Sequence, residues 1–193
     1  MDKRLVFAVL LGSSLTGALA QASSFAWSGT PGLTRSGAIS ATMSRGRLCI
    51  EVKDGSAENG ATIQVAPCDA SSAGQQWMAY DPLDTGEQYH LWSMASGACM
   101  QVQDGSPENG AGISQEECNG DWSQRWILKP WAQTGTPRFP GPMTIVNAAT
   151  GKCLELSSLT PRPGQEVSLV QRTCASPVTI RGAFQVWSAD SWF

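Results

Sequence analysis

An internal repeat with a period of about 50 residues constrains the fold of this 193-residue chain more than any other feature. Residues 54–61, DGSAENGA, return as residues 104–111, DGSPENGA, with seven of eight positions identical at an offset of 50. In both copies a cysteine lies on either side of this segment, and a Gln-x-Trp sequence follows the second cysteine. A more divergent third copy, over residues 144–187, keeps cysteine, glycine, cysteine and Gln-x-Trp in the same order. The chain therefore contains three similar units.

Each unit has the pattern of short strands joined by turns. Residues 49–52 and 61–65 alternate in polarity, and Asn59 and Gly60 lie between them. Asn-Gly favours the positive φ values of a type I′ turn, so these residues predict a β-hairpin. A unit of about 50 residues cannot bury both faces of its strands alone, so we expect an all-β fold in which three units share one core. The predicted core residues are Val52, Ile63, Trp77, Val102, Ile113, Trp126, Leu154, Leu156, Val167 and Trp187.

The six cysteines are distributed two to each unit. The repeat favours local pairing, and each bridge would close a loop of about 20 residues, worth very roughly 3 kcal/mol in the chain-entropy model. No Cys-x-x-Cys sequence suggests redox chemistry. The bridges are therefore interpreted as structural, in a protein located where disulfides persist. The predicted pairs are Cys49–Cys68, Cys99–Cys118 and Cys153–Cys174.

The order of these features resembles that of the ricin B-chain-type (R-type) lectin domain. The resemblance covers roughly residues 37–190 and rests on the triple Gln-x-Trp with paired cysteines. It implies a β-trefoil, with twelve strands in six hairpins and pseudo-threefold symmetry. It also implies shallow sugar pockets, up to one in each repeat, with glycans of galactose type or another hexose, or a glycoprotein, as partners. It implies no cofactor.

The Gln-x-Trp residues are interpreted as structural. A large indole ring usually lies in the core, where its N–H needs a partner, and the glutamines are expected to satisfy nearby backbone groups. The residues concerned are Gln75, Trp77, Gln124, Trp126, Gln185 and Trp187.

The resemblance also implies sugar-binding positions. In the family, an acid two residues after the first cysteine accepts hydrogen bonds from hydroxyls, a glutamine follows the turn, and an aromatic side chain two residues further on forms a wall. In the first repeat these positions hold Glu51, Gln64 and Ala66, so the wall is missing. The family's asparagine before Gln-x-Trp is replaced here by Gly74.

The other two repeats depart further from the family pattern. The second repeat has Gln101, Ser114 and Glu116 at the three positions, and the third has Glu155 with Ser168 at the glutamine position. The first repeat is therefore the best candidate site.

Two loop residues, Asp54 and Asn59, are added to the first-repeat site. Asp54 and Asp104 have an alternative role as turn residues, because Asp-Gly-Ser suits bonding between side chain and backbone. Glu51 and Glu155 have an alternative as solvated strand residues.

Aromatic side chains elsewhere could replace the missing wall. Trp122 lies in a polar loop and has no counterpart in the other repeats, which makes it a surface-contact candidate. Trp92 lies in an alternating run and is expected to be partly exposed. His90 is interpreted as a surface strand residue and not as a ligand.

The N-terminus has the pattern of a secretory signal peptide over residues 1–20. Lys3 and Arg4 precede an apolar run at residues 5–11, and Ala-Leu-Ala at 18–20 fits a cleavage site. A transmembrane helix is the weaker alternative, because the run is shorter than the roughly 20 residues that a span needs. A Ser/Gly-rich leader at 21–36 and the lectin-like domain at 37–193 complete the organisation.

Composition argues against several classes of function. The net charge of −3 and pI of about 5.1 argue against nucleic-acid binding, which depends on Lys and Arg. A single histidine disfavours a His-rich metal site or a Ser-His-Asp triad. The carboxylates form no recognisable pair of the kind that a glycosidase needs. The sequence predicts a secreted, non-enzymatic carbohydrate-binding protein without membrane insertion. The alternative is a trefoil reused for protein recognition, as an inhibitor or effector, through the proline-rich loop at 131–139.

Overall fold

A computed structural model describes residues 35–43, 46–83, 85–130, 142–158, 166–175, 185 and 187–189. The predicted signal peptide, most of the leader and the 131–139 loop lie outside these residues. The described residues form thirteen strands, β1 to β13, with 3-10 turns at Lys53–Gly55, Ala73–Gln75, Gln103–Gly105 and Trp122–Gln124. The strands are β1 (Arg35–Gly37), β2 (Ile39–Met43), β3 (Gly46–Val52), β4 (Ile63–Pro67), β5 (Trp77–Tyr80), β6 (Tyr89–Ser93), β7 (Cys99–Val102), β8 (Ile113–Glu116), β9 (Arg125–Pro130), β10 (Pro142–Asn147), β11 (Cys153–Leu156), β12 (Val167–Arg172) and β13 (Trp187–Ala189).

The strands close into a barrel. β1 and β2 are two parts of one strand that is interrupted at Ala38. The β1 part pairs with β5, and the β2 part pairs with β13. The ring continues through the antiparallel pairs β5–β6, β6–β9, β9–β10 and β10–β13. Each repeat thus supplies its first and last strands to the barrel. This confirms the expected all-β trefoil, with the thirteenth strand explained by the interruption at Ala38.

The middle strands of each repeat form three hairpins, β3–β4, β7–β8 and β11–β12, here called the cap hairpins. β12 pairs with β4, and single bridges join Thr62 to Ser114 and Gly112 to Val170. Each cap hairpin therefore contacts the next one around the pseudo-threefold axis.

The core contains the three Gln-x-Trp tryptophans, none of which is exposed to solvent. All ten predicted core residues are buried. Each indole Nε1–H donates to a backbone carbonyl of the cap hairpin in its own repeat, which satisfies the one polar atom of a buried ring. The pairs are Trp77 with Ile50 at 2.9 Å, Trp126 with Met100 at 2.9 Å and Trp187 with Leu154 at 3.2 Å.

The three predicted disulfides are confirmed. Cys49–Cys68, Cys99–Cys118 and Cys153–Cys174 each span a Cα–Cα distance between 4.9 and 5.1 Å. In each bridge, the first cysteine lies in the first strand of a cap hairpin, and the second cysteine lies just after the end of its second strand. The bridges therefore hold the open end of every cap hairpin.

The predicted type I′ turn at Asn59-Gly60 is wrong. The β3–β4 register ends at Val52 opposite Ile63, so residues 53–62 form a longer connection. Gly60 has a φ of 79°, but the only described non-glycine residues with positive φ are Asp54 and Asp104, whereas a type I′ turn requires it at both central positions. The connection is long because its backbone reaches the neighbouring repeat, where the Gly60 N–H donates to the Gln115 carbonyl at 2.9 Å.

The two aspartates, Asp54 and Asp104, are turn residues because of their backbone conformation. Asp54 and Asp104 have φ values of 56° and 55°, a left-handed conformation that aspartate tolerates better than most residues. The serine two residues later makes the bond between side chain and backbone. Ser56 Oγ accepts from the Glu58 amide at 3.2 Å, and the second repeat has the same arrangement.

We predict that Trp126→Ala lowers the free energy of unfolding by about 3–5 kcal/mol, because it leaves a large cavity in the core. Trp122, four residues earlier, has an exposed side chain, so Trp122→Ala should change it by no more than about 0.5 kcal/mol. Denaturant unfolding followed by circular dichroism measures both. Equal losses in the two variants would contradict the division into core and surface tryptophans.

Candidate functional site

The first repeat holds a carboxylate between two amide groups. Glu51 on β3 lies opposite Gln64 on β4, and both side chains are half-buried. Glu51 Oε1 accepts from Gln64 Nε2 at 2.9 Å, and Glu51 Oε2 accepts from Gln75 Nε2 at 3.0 Å. Each carboxylate oxygen is therefore fixed in place by one donor.

The Gln-x-Trp glutamine makes the same contacts in every repeat. Its Oε1 accepts from a backbone N–H, and its Nε2 donates both to a backbone carbonyl and to the side chain two residues after the first cysteine. These contacts confirm that the glutamines satisfy backbone groups, as expected. Their bond to the side chain at the acid position was not predicted from the sequence. Oε1 accepts from Asp69, Asn119 and Ala175 at 2.8, 3.0 and 2.8 Å, and Nε2 donates to the carbonyls of Pro67, Glu117 and Thr173 at 3.0, 2.9 and 3.3 Å.

The second repeat has no acid at this position. Gln101 Oε1 accepts from Gln124 Nε2 at 3.2 Å, and Gln101 lies opposite Ser114. The Ser114 hydroxyl is buried without a hydrogen-bond partner. The position of the aromatic wall holds Glu116, opposite Cys99. The floor of this repeat is thus polar and uncharged.

The third repeat has buried its acid. Glu155 is 1% exposed, so it is not a solvated strand residue. Its Oε2 accepts from Gln185 Nε2 at 2.6 Å, and its Oε1 lies 3.4 Å from Nε of Arg172. Arg172 occupies the position of the aromatic wall, opposite Cys153. The carboxylate is therefore neutralised within the fold.

The expectation that Ser168 occupies the glutamine position of the third repeat is wrong. The residue opposite Glu155 is Val170, and Ser168 instead lies opposite Gln64 of the first repeat. The connection between β11 and β12 is two residues longer than its counterparts, so counting from Cys153 gives a register two residues too early.

Comparison with known proteins agrees with this geometry. A family model described as ricin-type beta-trefoil lectin domain-like matches residues 73–170. The chain belongs to this ricin-type family. The family assignment supports a carbohydrate-binding role in general. No curated protein matches the sequence.

Three solved structures share the ricin-type fold at low sequence identity. The designed threefold-symmetric protein ThreeFoil is 22% identical with a TM-score of 0.65, and the match covers 80% of this chain and 98% of that one. The exo-beta-1,3-galactanase 1,3Gal43A from Clostridium thermocellum is 24% identical with a TM-score of 0.64, and the match covers 80% of this chain and 30% of that one. A Polyporus squamosus lectin is 12% identical with a TM-score of 0.62, and the match covers 81% of this chain and 49% of that one. These likenesses establish the trefoil fold.

In this ricin-type trefoil, two 3-10 turns pack beside Glu51. Gly74 in one turn approaches Gly55 in the other, since a Cβ added to Gly74 would lie 3.9 Å from the Gly55 Cα. Asp54 is exposed on the Lys53–Gly55 turn. Asn59, also exposed, lies near the far end of the same connection. The structure therefore brings Glu51, Gln64 and Gln75 into direct contact and locates Asp54 on an adjoining turn.

Trp122 is 57% exposed, as expected for a surface contact. It lies on the 3-10 turn that carries Gln124, the residue bonded to Gln101. The Arg125 guanidinium lies 4.6 Å from the ring centroid and donates to the Gly120 carbonyl at 3.0 and 3.1 Å. One face of the ring is thus covered by a cation, an attractive arrangement.

The interpretation of His90 as a surface residue is wrong. It is 6% exposed, and its Nδ1 lies 3.7 Å from Cys99 Sγ. Arg125 is its neighbour across the β6–β9 ladder, so this side of β6 is not open to solvent at His90. Trp92, two residues further along, is 37% exposed, as expected. Burial, and to a lesser extent the charge of Arg125, lowers the pKa of His90 below its ordinary value of 6.5.

Neither a metal centre nor a membrane-spanning helix is present in the part of the chain that the structure describes. No group of three or more His, Cys, Asp or Glu side chains there could hold a metal ion. None of its helical segments has the length and apolar character needed to cross a bilayer.

We predict that acidification from pH 7 to about 5.5 lowers stability through His90. Because the folded pKa is lowered, the unfolded chain binds more protons below the ordinary value of 6.5, and stability falls as the pH decreases through that value. His90→Gln should remove this part of the pH dependence. Thermal unfolding in steps across the interval measures it. Identical slopes for the wild type and His90→Gln would contradict the prediction.

Proposed function

We propose that the chain is a secreted, non-enzymatic carbohydrate-binding protein whose first repeat binds a hexose, of galactose type or another, on a glycan or glycoprotein. The observation that carries the proposal is the half-buried Glu51 carboxylate, held by the amides of Gln64 and Gln75. A neutral sugar offers hydroxyl donors, and a fixed carboxylate is the strongest neutral-pH acceptor that a side chain provides.

The hydrogen-bonding capacity of this group fits a diol. An ionised carboxylate has about four lone-pair sites on its two oxygens, and the two amides occupy one on each oxygen. One acceptor direction on each oxygen is therefore left for adjacent sugar hydroxyls. Oε1 of Gln64 adds a third acceptor, because that amide uses its nitrogen to bind Glu51. Asp54 and Asn59 would contact the ligand from the rim.

Differences between the repeats favour the first one. Gln101 offers only a neutral amide, and Glu155 is buried and paired with Arg172. Glu155 is therefore left out of the proposed ligand contacts. The second repeat ranks next, because the exposed Trp122 lies on the turn whose Gln124 bonds Gln101. An exposed indole ring can cover the apolar face of a sugar.

Chemistry and covalent structure support the rest of the proposal. A glycosidase needs two carboxyl groups about 5–10 Å apart, whereas the first-repeat position combines one carboxylate with two amides. Three disulfides and the predicted signal peptide support secretion. The Polyporus squamosus lectin structure has a bound epitope, Neu5Aca2-6Galb1-4GlcNAc, which supports glycan recognition by this fold in general.

A glycan array probed with oxidised protein comprising residues 21–193 tests the proposal. We predict binding to one family of hexose glycans, and a loss of about tenfold or more in affinity for Glu51→Gln, because one charge-assisted acceptor becomes neutral. Gln101→Glu makes the reverse change at the same position of the second repeat and serves as the matched control. It should leave first-repeat affinity within about twofold. Titration calorimetry with the selected sugar measures both variants.

A silent array from folded protein would contradict the proposal, and sugar release from a bound glycan would contradict its non-enzymatic part. The alternative of protein recognition makes a different prediction. Substitutions within the 131–139 loop, which lies outside the described residues, would abolish capture of a partner, while Glu51→Gln and Gln64→Ala would leave it unchanged.

A further inference from the structure

Two buried glutamines occupy equivalent places in the second and third repeats. Gln115 on β8 and Gln171 on β12 are both fully buried. Each directly follows the residue opposite the acid position, Ser114 in one repeat and Val170 in the other. A buried amide is costly unless all of its donors and acceptors are used, so the partners of these side chains identify their role.

Gln115 binds the connection of the preceding repeat. Its Nε2 donates to the carbonyls of Ser56 and Glu58, both at 2.9 Å. Its backbone accepts from the Gly60 N–H and donates to the Ala61 carbonyl, again at 2.9 Å each. Within its own repeat, Oε1 accepts from Ser96 Oγ at 2.7 Å. One residue therefore fixes four positions of the 53–62 connection.

Gln171 repeats this arrangement one unit later. Its Nε2 donates to the carbonyls of Ser106 and Glu108 at 2.6 and 3.1 Å, and its Oε1 accepts from Thr150 Oγ1 at 2.7 Å. Its backbone bonds Gly110 and Ala111 at 2.8 and 2.9 Å. The 103–112 connection of the second repeat is thus held by the third repeat.

The arrangement is not continued in the first repeat. Gln115 lies opposite Met100, and Gln171 lies opposite Leu154, so the corresponding residue of the first repeat is Val65, opposite Ile50. Valine has no side-chain donor. Among the described residues, an exposed ion pair between Lys53 and Glu166, at 2.6 Å, joins the first and third repeats there. Exposed pairs contribute little to stability.

From these contacts we infer that Gln115 is a positioning residue for ligand recognition by the first repeat, although it belongs to the second. The inference rests on the proposed function. The 53–62 connection carries Asp54 and Asn59 and begins two residues after Glu51. The Gln115 amide sets where this connection lies relative to the carboxylate, and Gln171 does the same for the second-repeat connection.

The chain offers a matched pair of variants. Gln115→Met and Gln171→Met keep side-chain length, and each removes two donated bonds and one accepted bond from an equivalent place. We expect Gln115→Met to weaken first-repeat sugar binding by about tenfold and Gln171→Met to leave it within about twofold. Amide exchange adds a ligand-free readout: the Gly60 N–H should exchange faster in Gln115→Met only, and the Gly110 N–H in Gln171→Met only.

A second pair of variants makes a smaller change, in case the glutamine variants do not fold. Ser96→Ala removes the hydroxyl that orients the Gln115 amide, and Thr150→Val removes its counterpart at Gln171. Sugar affinity should fall by about two- to fivefold in Ser96→Ala and remain unchanged in Thr150→Val.

The outcomes separate this inference from the proposed function. Equal losses in both members of a pair would mean that the glutamines act only through general stability, and unchanged affinity in both would remove the positioning role. Binding that Glu51→Gln abolishes and Gln115→Met leaves intact overturns this inference alone. Wild-type protein that binds no glycan overturns the proposed function, and the positioning role with it.

Discussion

Each Gln-x-Trp triplet holds two adjacent residues of one cap strand, and the rest of the structure depends on that attachment. In the first repeat the Trp77 indole bonds the Ile50 carbonyl from within the core, and the Gln75 amide bonds the Glu51 side chain. The core therefore sets the position of the strand that carries the candidate site. A change in the packing of Trp77 would move the carboxylate, because no flexible segment lies between them.

This attachment also explains how the fold can persist while the sites diverge. The glutamine amide needs only an acceptor two residues after the first cysteine. Glu51, Gln101 and Glu155 all provide one. The fold thus constrains this position to an oxygen-bearing side chain, whereas ligand recognition also requires charge and access to solvent. In the third repeat, burial of Glu155 removes the access and Arg172 balances the charge, whereas the bond from Gln185 is intact.

Features that recur in every repeat could be predicted from the sequence, and so could the core that the repeats share. The individual hydrogen bonds between repeats could not. The disulfides and the tryptophan core follow from a spacing that is seen three times. The course of the 53–62 connection depends on Gln115, which is distant in sequence, and the same distance hid the role of Gln115 itself. The sequence does contain one signal of this role, because glutamine occupies the equivalent strand position in the second and third repeats, as Gln115 and Gln171. His90 was expected to be exposed because strand alternation does not reveal that it lies beside Cys99 of β7 and Arg125 of β9.

The same dependence between repeats accounts for the position of the insertion in the third repeat. The two extra residues fall between β11 and β12, in the connection that leads to Val167, which pairs with Val65 of the first repeat. The connections held by Gln115 and Gln171 have identical lengths, because an added residue would shift two carbonyls away from a buried amide and leave it unsatisfied. Where valine stands in place of the amide, no such penalty opposes a longer loop, and the entropic cost of two more residues is small. The longer connection thus occurs where the neighbouring repeat has valine at position 65 in place of the buried amide.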